Sequence, residues 1–249
     1  MVPISLIVIL ALWHLIAEIG ELPSFILPTP RQVFERLVEV IQDGSLLRHT
    51  LVTFGEVLSG LLLGLGTAVI LGYLLAKMCW LEKILSPIIV ASQSVPVVAI
   101  APLLIIWLGP GVLSKILITA LIVFFPILVN LIVGIRSIST DLYDLMRSFQ
   151  ATPWQILRFL EIPAAMPVFL GGLRIGATLA VIGAVVGEFV GADRGLGFLV
   201  NVGRGMYDTA LVFVAIFTLV VMAMSIYGVV SLLERKLLAW RQNTAAGES

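Results

Sequence analysis

Residues 116–135 read ILITALIVFFPILVNLIVGI, a run without a single Asp, Glu, Lys or Arg. About 20 apolar residues rising 1.5 Å each cover a hydrocarbon layer about 30 Å thick, so this run predicts a membrane-crossing helix. The runs 57–76 and 209–233 are equally free of charge, and 84–114 is a longer one broken by Gly109-Pro110-Gly111. Residues 1–17 make a shorter apolar segment and 167–188 another, interrupted by Arg174. The reading is six spans, near 3–19, 51–76, 84–108, 112–135, 167–189 and 209–233, packed as one domain over 1–249. The first apolar segment lacks a basic start and a small-residue cleavage site, and is read as a retained helix.

Composition agrees. Of 249 residues 60% are hydrophobic and 12% charged, with a mean hydropathy of +1.13. A soluble domain carries about twice that charge. Fifteen basic and fifteen acidic residues cancel, so no basic field for nucleic acid exists. One cysteine, Cys79, and two histidines, His14 and His49, leave little for disulfide or metal chemistry.

Two connections are structured. Thr29-Pro30-Arg31-Gln32 sets a capping Thr, a Pro at the first helical position and a Gln at the third, predicting a short helix that Asp43-Gly44 ends. Its apolar positions are Val33, Phe34, Leu37, Val38 and Ile41. Between Arg136 and Pro163 the chain forms a helical hairpin in this reading, with Ser139 and Thr140 opening one arm and Thr152-Pro153-Trp154-Gln155 the second. The hairpin sets Leu145, Met146, Phe149 and Trp154 among charges, where large apolar groups call for a partner surface.

Small residues recur every four positions at Gly60, Gly64, Ala68, Gly72 and Ala76, and at Gly172, Gly176, Ala180 and Ala184. In lipid such stripes let backbones approach closely; spacing leaves open whether the facing helix is in the same chain. Polar residues inside the spans are candidates for a solute path: Gln93, Ser94, Asn130 and Glu188 foremost, with Glu56, Arg174 and Thr178 beside them. Glu188 precedes a glycine-rich stretch, Gly191 to Gly205, read as an irregular turn.

The hairpin resembles the cytoplasmic loop of binding-protein-dependent ABC importer permeases, in which Glu-Ala-Ala is followed by a Gly and then by Ile-x-Leu-Pro. The same register here gives Asp144-Leu145-Met146, Gln150 and Leu160-Glu161-Ile162-Pro163. Further segments are similar to the nitrate, sulfonate and taurine branch: Ala164-Ala165-Met166-Pro167 with Gly171 to Gly176, Gly187 to Gly197, and Pro96 to Gly109. The resemblance implies an all-α type I importer permease with the coupling hairpin at 137–163, moving a small polar or anionic solute such as a sulfonate, taurine or nitrate. Relatives that import riboflavin or hydroxymethylpyrimidine give the alternative. It also implies a second permease copy, two cytoplasmic ATP-binding subunits that carry ATP and Mg, a periplasmic or lipid-anchored binding protein, and an inner-membrane location with both termini cytoplasmic. Asp144, Leu145, Met146, Phe149, Gln150, Ala151 and Trp154 would then couple the chain to the ATPase.

The motifs the chain lacks are consistent with that division of labour. No phosphate-binding loop occurs, since Gly109 to Lys115 has Ser114 where the motif needs Gly, and no serine-nucleophile or zinc-protease motif is present. Because Gln150 stands where the family has Gly, residues 149–152 are expected to turn without a glycine-type conformation, the break being enforced by Thr152-Pro153. Nine of the 15 basic residues fall on the hairpin side, a weak positive-inside bias. An ion-coupled secondary transporter is the rival class, but it would show inverted repeats, and none is visible.

Overall fold

A computed structural model describes residues 2–20, 23–78, 80, 83, 84, 87 and 96–239. All regular structure among them is helical: α1 (Val2–Ile19), α2 (Pro30–Gln42), α3 (Ser45–Lys77), α4 (Val97–Leu108), α5 (Val112–Arg136), α6 (Thr140–Ser148), α7 (Pro153–Gly191), α8 (Leu196–Gly205) and α9 (Thr209–Leu237). Four of them, α3, α5, α7 and α9, are long and apolar enough to cross a membrane. They run 33, 25, 39 and 29 residues. The apolar part of α1 and the 12-residue α4 are shorter. Of the expected span 84–108, the continuous helix is α4; Gln93 and Ser94 lie outside the described residues.

The centre of the bundle is α5, and the small-residue stripes explain why. A Cβ on Gly64 would lie 2.7 Å from the Ala120 carbonyl oxygen, and one on Gly172 would lie 2.5 Å from Asn130 Cβ. Gly60 faces Thr119, Gly72 faces Leu131, and Gly176 faces Ile127. Both stripes therefore close on neighbouring faces of one helix of the same chain, meeting at Thr119 and Val123, and the choice left open by spacing is resolved. Val57, Leu61, Ala68, Val123, Ile127, Leu128, Ala177, Ala180 and Ala184 fill the seam. The outward faces remain apolar, with Leu62, Ile70, Val133, Ile182, Val221 and Met224 all exposed, as lipid-facing helices require.

α1 and α2 pack beside α9. Trp13 of α1 stacks on Phe213 with ring centres 5.1 Å apart, and its indole N–H donates to Pro28 O. The reciprocal cap at Thr29 and Gln32 forms as read. The buried face of α2 is narrower than expected. Val33 and Val40 are buried and Leu37 packs beside them, whereas Phe34 and Ile41 point outward; one charged contact, Arg36 Nε to Asp208 Oδ2 at 2.8 Å, fixes the helix to the start of α9.

Three boundaries differ from the sequence reading. The second span begins at Ser45 instead of 51, because the break at Gly44, with φ of 72°, is sharp enough for the helix to restart at once. The second hairpin arm does not stop at Pro163. Residues Leu157–Glu161 form one π turn in which Ile162 N–H bonds Leu157 O five residues back, and this absorbs the hydrogen bond that Pro163 cannot donate. The arm and the span at 167–189 are thus one helix, α7. The stretch Gly191 to Gly205 is mostly regular: after a short turn at Gly195, with φ of 115°, α8 takes up its remainder.

Candidate functional site

The hairpin is built from α6 and the first turns of α7. Ser148 Oγ donates to Leu145 O, and the helix closes at Phe149. Gln150 then takes a φ of +52°, its N–H bonding Arg147 O, while Ala151 N–H bonds Met146 O. The expectation of a turn without a glycine-type conformation is corrected here. The chain reverses through the left-handed region that a Gly occupies without strain, and Gln150 adopts it regardless. Thr152 then opens α7 with a reciprocal cap to Gln155, which holds the break.

This turn places the coupling candidates on an open surface. Phe149 is 76% exposed, Trp154 65% and Leu145 51%. Asp144 sits beside them with only Arg147 as a described ion-pair partner, at 3.2 Å, both side chains largely in solvent. Met146 and Ala151 are half-buried, and Gln150 is exposed. The hairpin end thus displays apolar groups around a carboxylate, chemistry suited to a protein partner and not to lipid.

Behind that surface, the hairpin is tied to the bundle through Glu161, which is buried in the π turn. Lys77 at the end of α3 pairs with it, and Tyr73 Oη donates to its Oε2 at 3.3 Å. Tyr143 of α6 lies beside the same carboxylate, and the Lys77 ammonium lies 5.4 Å from the Tyr143 ring centre. Burial first, and the Glu161 charge second, push the Tyr143 phenol up to about 12, so it stays a hydrogen-bond donor at any physiological pH. One carboxylate therefore joins α3, α6 and α7. Next to it is an apolar groove of about 490 Å³ between α3 and α7, floored by Leu131 and Ile135 of α5.

Inside the bundle, the candidate path residues among the described ones are engaged. Asn130 Nδ2 donates to Pro126 O of its own helix at 2.8 Å. Glu188 is buried at the end opposite the hairpin, accepting from Thr53 Oγ1 at 2.6 Å and from Gly197 N at 2.5 Å. Thr178 bonds back to Ile175 O. Arg174 pairs with Glu234 of α9 and lies 5.8 Å from the Tyr227 ring centre.

Sequence reasoning missed Lys115, taken as a boundary residue. It is 3% exposed and donates to Glu56 Oε1 at 3.0 Å. The signal was present, since Lys115 stands alone between the charge-free runs 84–114 and 116–135. Among the described residues no group of His, Cys, Asp and Glu is arranged to hold a metal ion.

Comparison with known proteins follows the same lines. Residues 61–239 match the profile of a family described as binding-protein-dependent transport system inner membrane component. The chain is 46% identical over 238 residues to the riboflavin transport system permease protein RibX of Chloroflexus aurantiacus, covering 96% of this chain and 89% of that protein. It is 34% identical over 236 residues to a putative aliphatic sulfonates transport permease protein of Bacillus subtilis, covering 95% and 86%. In fold it is similar to a chain of the MetNI methionine ABC transporter in an inward-facing conformation, with a TM-score of 0.66 at 21% identity, over 79% of this chain and 97% of that one.

Proposed function

Because the chain belongs to the binding-protein-dependent transport system inner membrane component family, and is therefore a non-catalytic ABC importer permease whose ATP is handled by partner subunits, we propose that it imports riboflavin or a vitamin precursor of similar chemistry. The observation that carries this is the 46% identity to a riboflavin permease across nearly the whole chain, against 34% to a sulfonate permease. The sulfonate, taurine or nitrate reading becomes the second choice. In both, the solute arrives on a binding protein.

In this proposal the chain works as two copies flanking a central path, each crossing the bacterial inner membrane six times with both termini cytoplasmic. The hairpin end faces the cytoplasm. There Leu145, Met146, Phe149 and Trp154 enter a cleft on the ATP-binding subunit, and Asp144 pairs with a basic group at its edge. Closure of the two ATP-binding subunits moves α6, and the Glu161 contacts to Lys77 and Tyr143 carry that motion into α3 and α7. Support for this comes from the exposure of those apolar groups around a carboxylate and from the single buried carboxylate joining three helices.

Uptake is the test. Cells unable to make riboflavin, supplied with this permease together with its ATP-binding and solute-binding partners, should grow on traces of the vitamin. If the same system restores growth on a sulfonate as sole sulfur source, and not on riboflavin, the vitamin assignment is wrong.

A further inference from the structure

At the end of the bundle opposite the hairpin, three spans bury their charges on one another. Glu56 of α3, Lys115 of α5 and Glu188 of α7 are each 3% exposed or less, and Thr53 is fully buried among them. Lys115 Nζ donates to Glu56 Oε1 at 3.0 Å. Glu56 and Glu188 share this buried site: Thr53, one turn before Glu56 on α3, donates to Glu188, and a Cβ on Gly187, the neighbour of Glu188, would lie 3.2 Å from Lys115. Glu188 also holds the start of α8. Its Oε2 accepts Gly197 N–H, and its Oε1 accepts the Thr53 hydroxyl, whose own oxygen accepts Leu196 N–H at 2.8 Å. Gly195 N–H goes to His49 Nδ1 at 2.9 Å, so that nitrogen carries no proton.

Counting donors locates what is missing. With both carboxylates ionised the cluster has two negative charges against one ammonium, a buried excess that a low-dielectric interior does not tolerate. Asp193 adds a further negative charge near Glu56, while Arg48 and Arg194 act on His49. Both Glu188 oxygens already accept hydrogen bonds, and Glu56 Oε1 accepts from Lys115. Glu56 Oε2 alone has no partner. A proton on that atom gives it a hydrogen to donate toward Glu188 and makes the cluster neutral.

We propose that Glu56 and Glu188 share one proton resident on Glu56 Oε2, and that the resulting neutral cluster clasps the first turn of α8 to α3 and α7. Two carboxyl groups that share one buried site hold a proton for the same reason. The clasp is tight. A Cβ on Gly197 would lie 2.8 Å from Glu188 Oε2, and a Cβ on Gly195 would run into the same carboxylate.

The assignment makes the two glutamates unequal, which allows a test. In Glu56→Gln the amide oxygen accepts from Lys115 and the amide N–H donates to Glu188, so every bond survives. In Glu188→Gln the charge that accepts Gly197 N–H is lost, and the amide nitrogen fits beside Thr53 only when the hydroxyl proton turns to His49 O, 3.2 Å away, so the hold on α8 weakens. Infrared spectra of the detergent-purified protein should show a protonated-carboxyl carbonyl stretch that shifts in D₂O and is lost in Glu56→Gln.

In a Cys79→Ser background, a Leu196→Cys probe reports release of α8 by its reactivity with a thiol reagent, and an Ile127→Cys probe reports general unfolding; both positions are fully buried. Glu188→Gln should raise labelling at the first probe by about tenfold or more, the effect of losing a charged hydrogen bond, with the second unchanged. Glu56→Gln should leave both as in the parent. Absence of the infrared band, its persistence in Glu56→Gln, equal release of α8 by the two variants, no release by Glu188→Gln, or labelling of Ile127→Cys would each overturn the proposal.

Discussion

Gln150 carries a left-handed backbone, φ +52°, at the position where the family pattern has Gly. For a residue with a Cβ that conformation costs roughly 1 to 2 kcal/mol, partly offset by the larger entropy a Gly loses on folding. Gln150→Gly is expected to raise the stability of the hairpin by up to about 1 kcal/mol, read as slower proteolysis between α6 and α7. No loss of transport should accompany it. The position of the turn was legible from Thr152-Pro153 and the spacing to Glu161, but its conformation was not, because a polar residue gives no local signal of positive φ. Exposed residues read more easily. Leu145, Met146, Phe149 and Trp154 were placed at a surface because large apolar groups stand there among charges, and all but the half-buried Met146 are exposed. An interfacial carboxylate that loses its partner costs about 2 to 5 kcal/mol when buried, so Asp144→Lys is expected to abolish co-purification of the ATP-binding subunit or uncouple its hydrolysis from uptake. The bundle itself should stay folded, since this side chain is in solvent.

Among the helices, the small-residue stripes carry the architecture. Gly64 and Gly172 meet α5 so closely that any side chain must displace backbone or Asn130. Gly64→Val is expected to destabilise by about 1 to 3 kcal/mol or more through overpacking, measured as a lower melting temperature in detergent, while the same change at Gly66, which has open space around it, should be nearly silent. Periodicity announced both stripes yet could not name their shared partner, because α5 offers no stripe of its own: its facing residues are Thr119, Ala120, Ile127 and Asn130. Proline misled in the opposite direction. Pro163 reads as a helix stop, yet the π turn at Leu157–Glu161 lets α7 continue, and it delivers Glu161 to Lys77. Lys77→Met should cost on the order of 2 kcal/mol, less than the about 3 to 5 of a fully buried pair because Lys77 is more than a third exposed. Its diagnostic effect would be on coupling: basal ATP hydrolysis retained, stimulation by the loaded binding protein lost.

The whole molecule was legible in class because a lipid solvent imposes its demands on every span: length, absence of charge, and satisfied backbone. What composition could not supply was the pairing of the few charges left inside. Glu56 with Lys115, Arg174 with Glu234, and Lys77 with Glu161 each join residues far apart in sequence, and no local pattern encodes such distance. The central claim is that this chain is the membrane half of an ATP-driven importer and has no transport activity by itself. The most direct measurement reconstitutes the permease in proteoliposomes with and without its ATP-binding subunit, supplies the loaded binding protein, and follows riboflavin uptake with either enclosed ATP or an imposed proton or sodium gradient. Uptake should require the ATP-binding subunit and ATP together, and gradients alone should give none. Accumulation by the permease alone, driven by an ion gradient, would contradict the account.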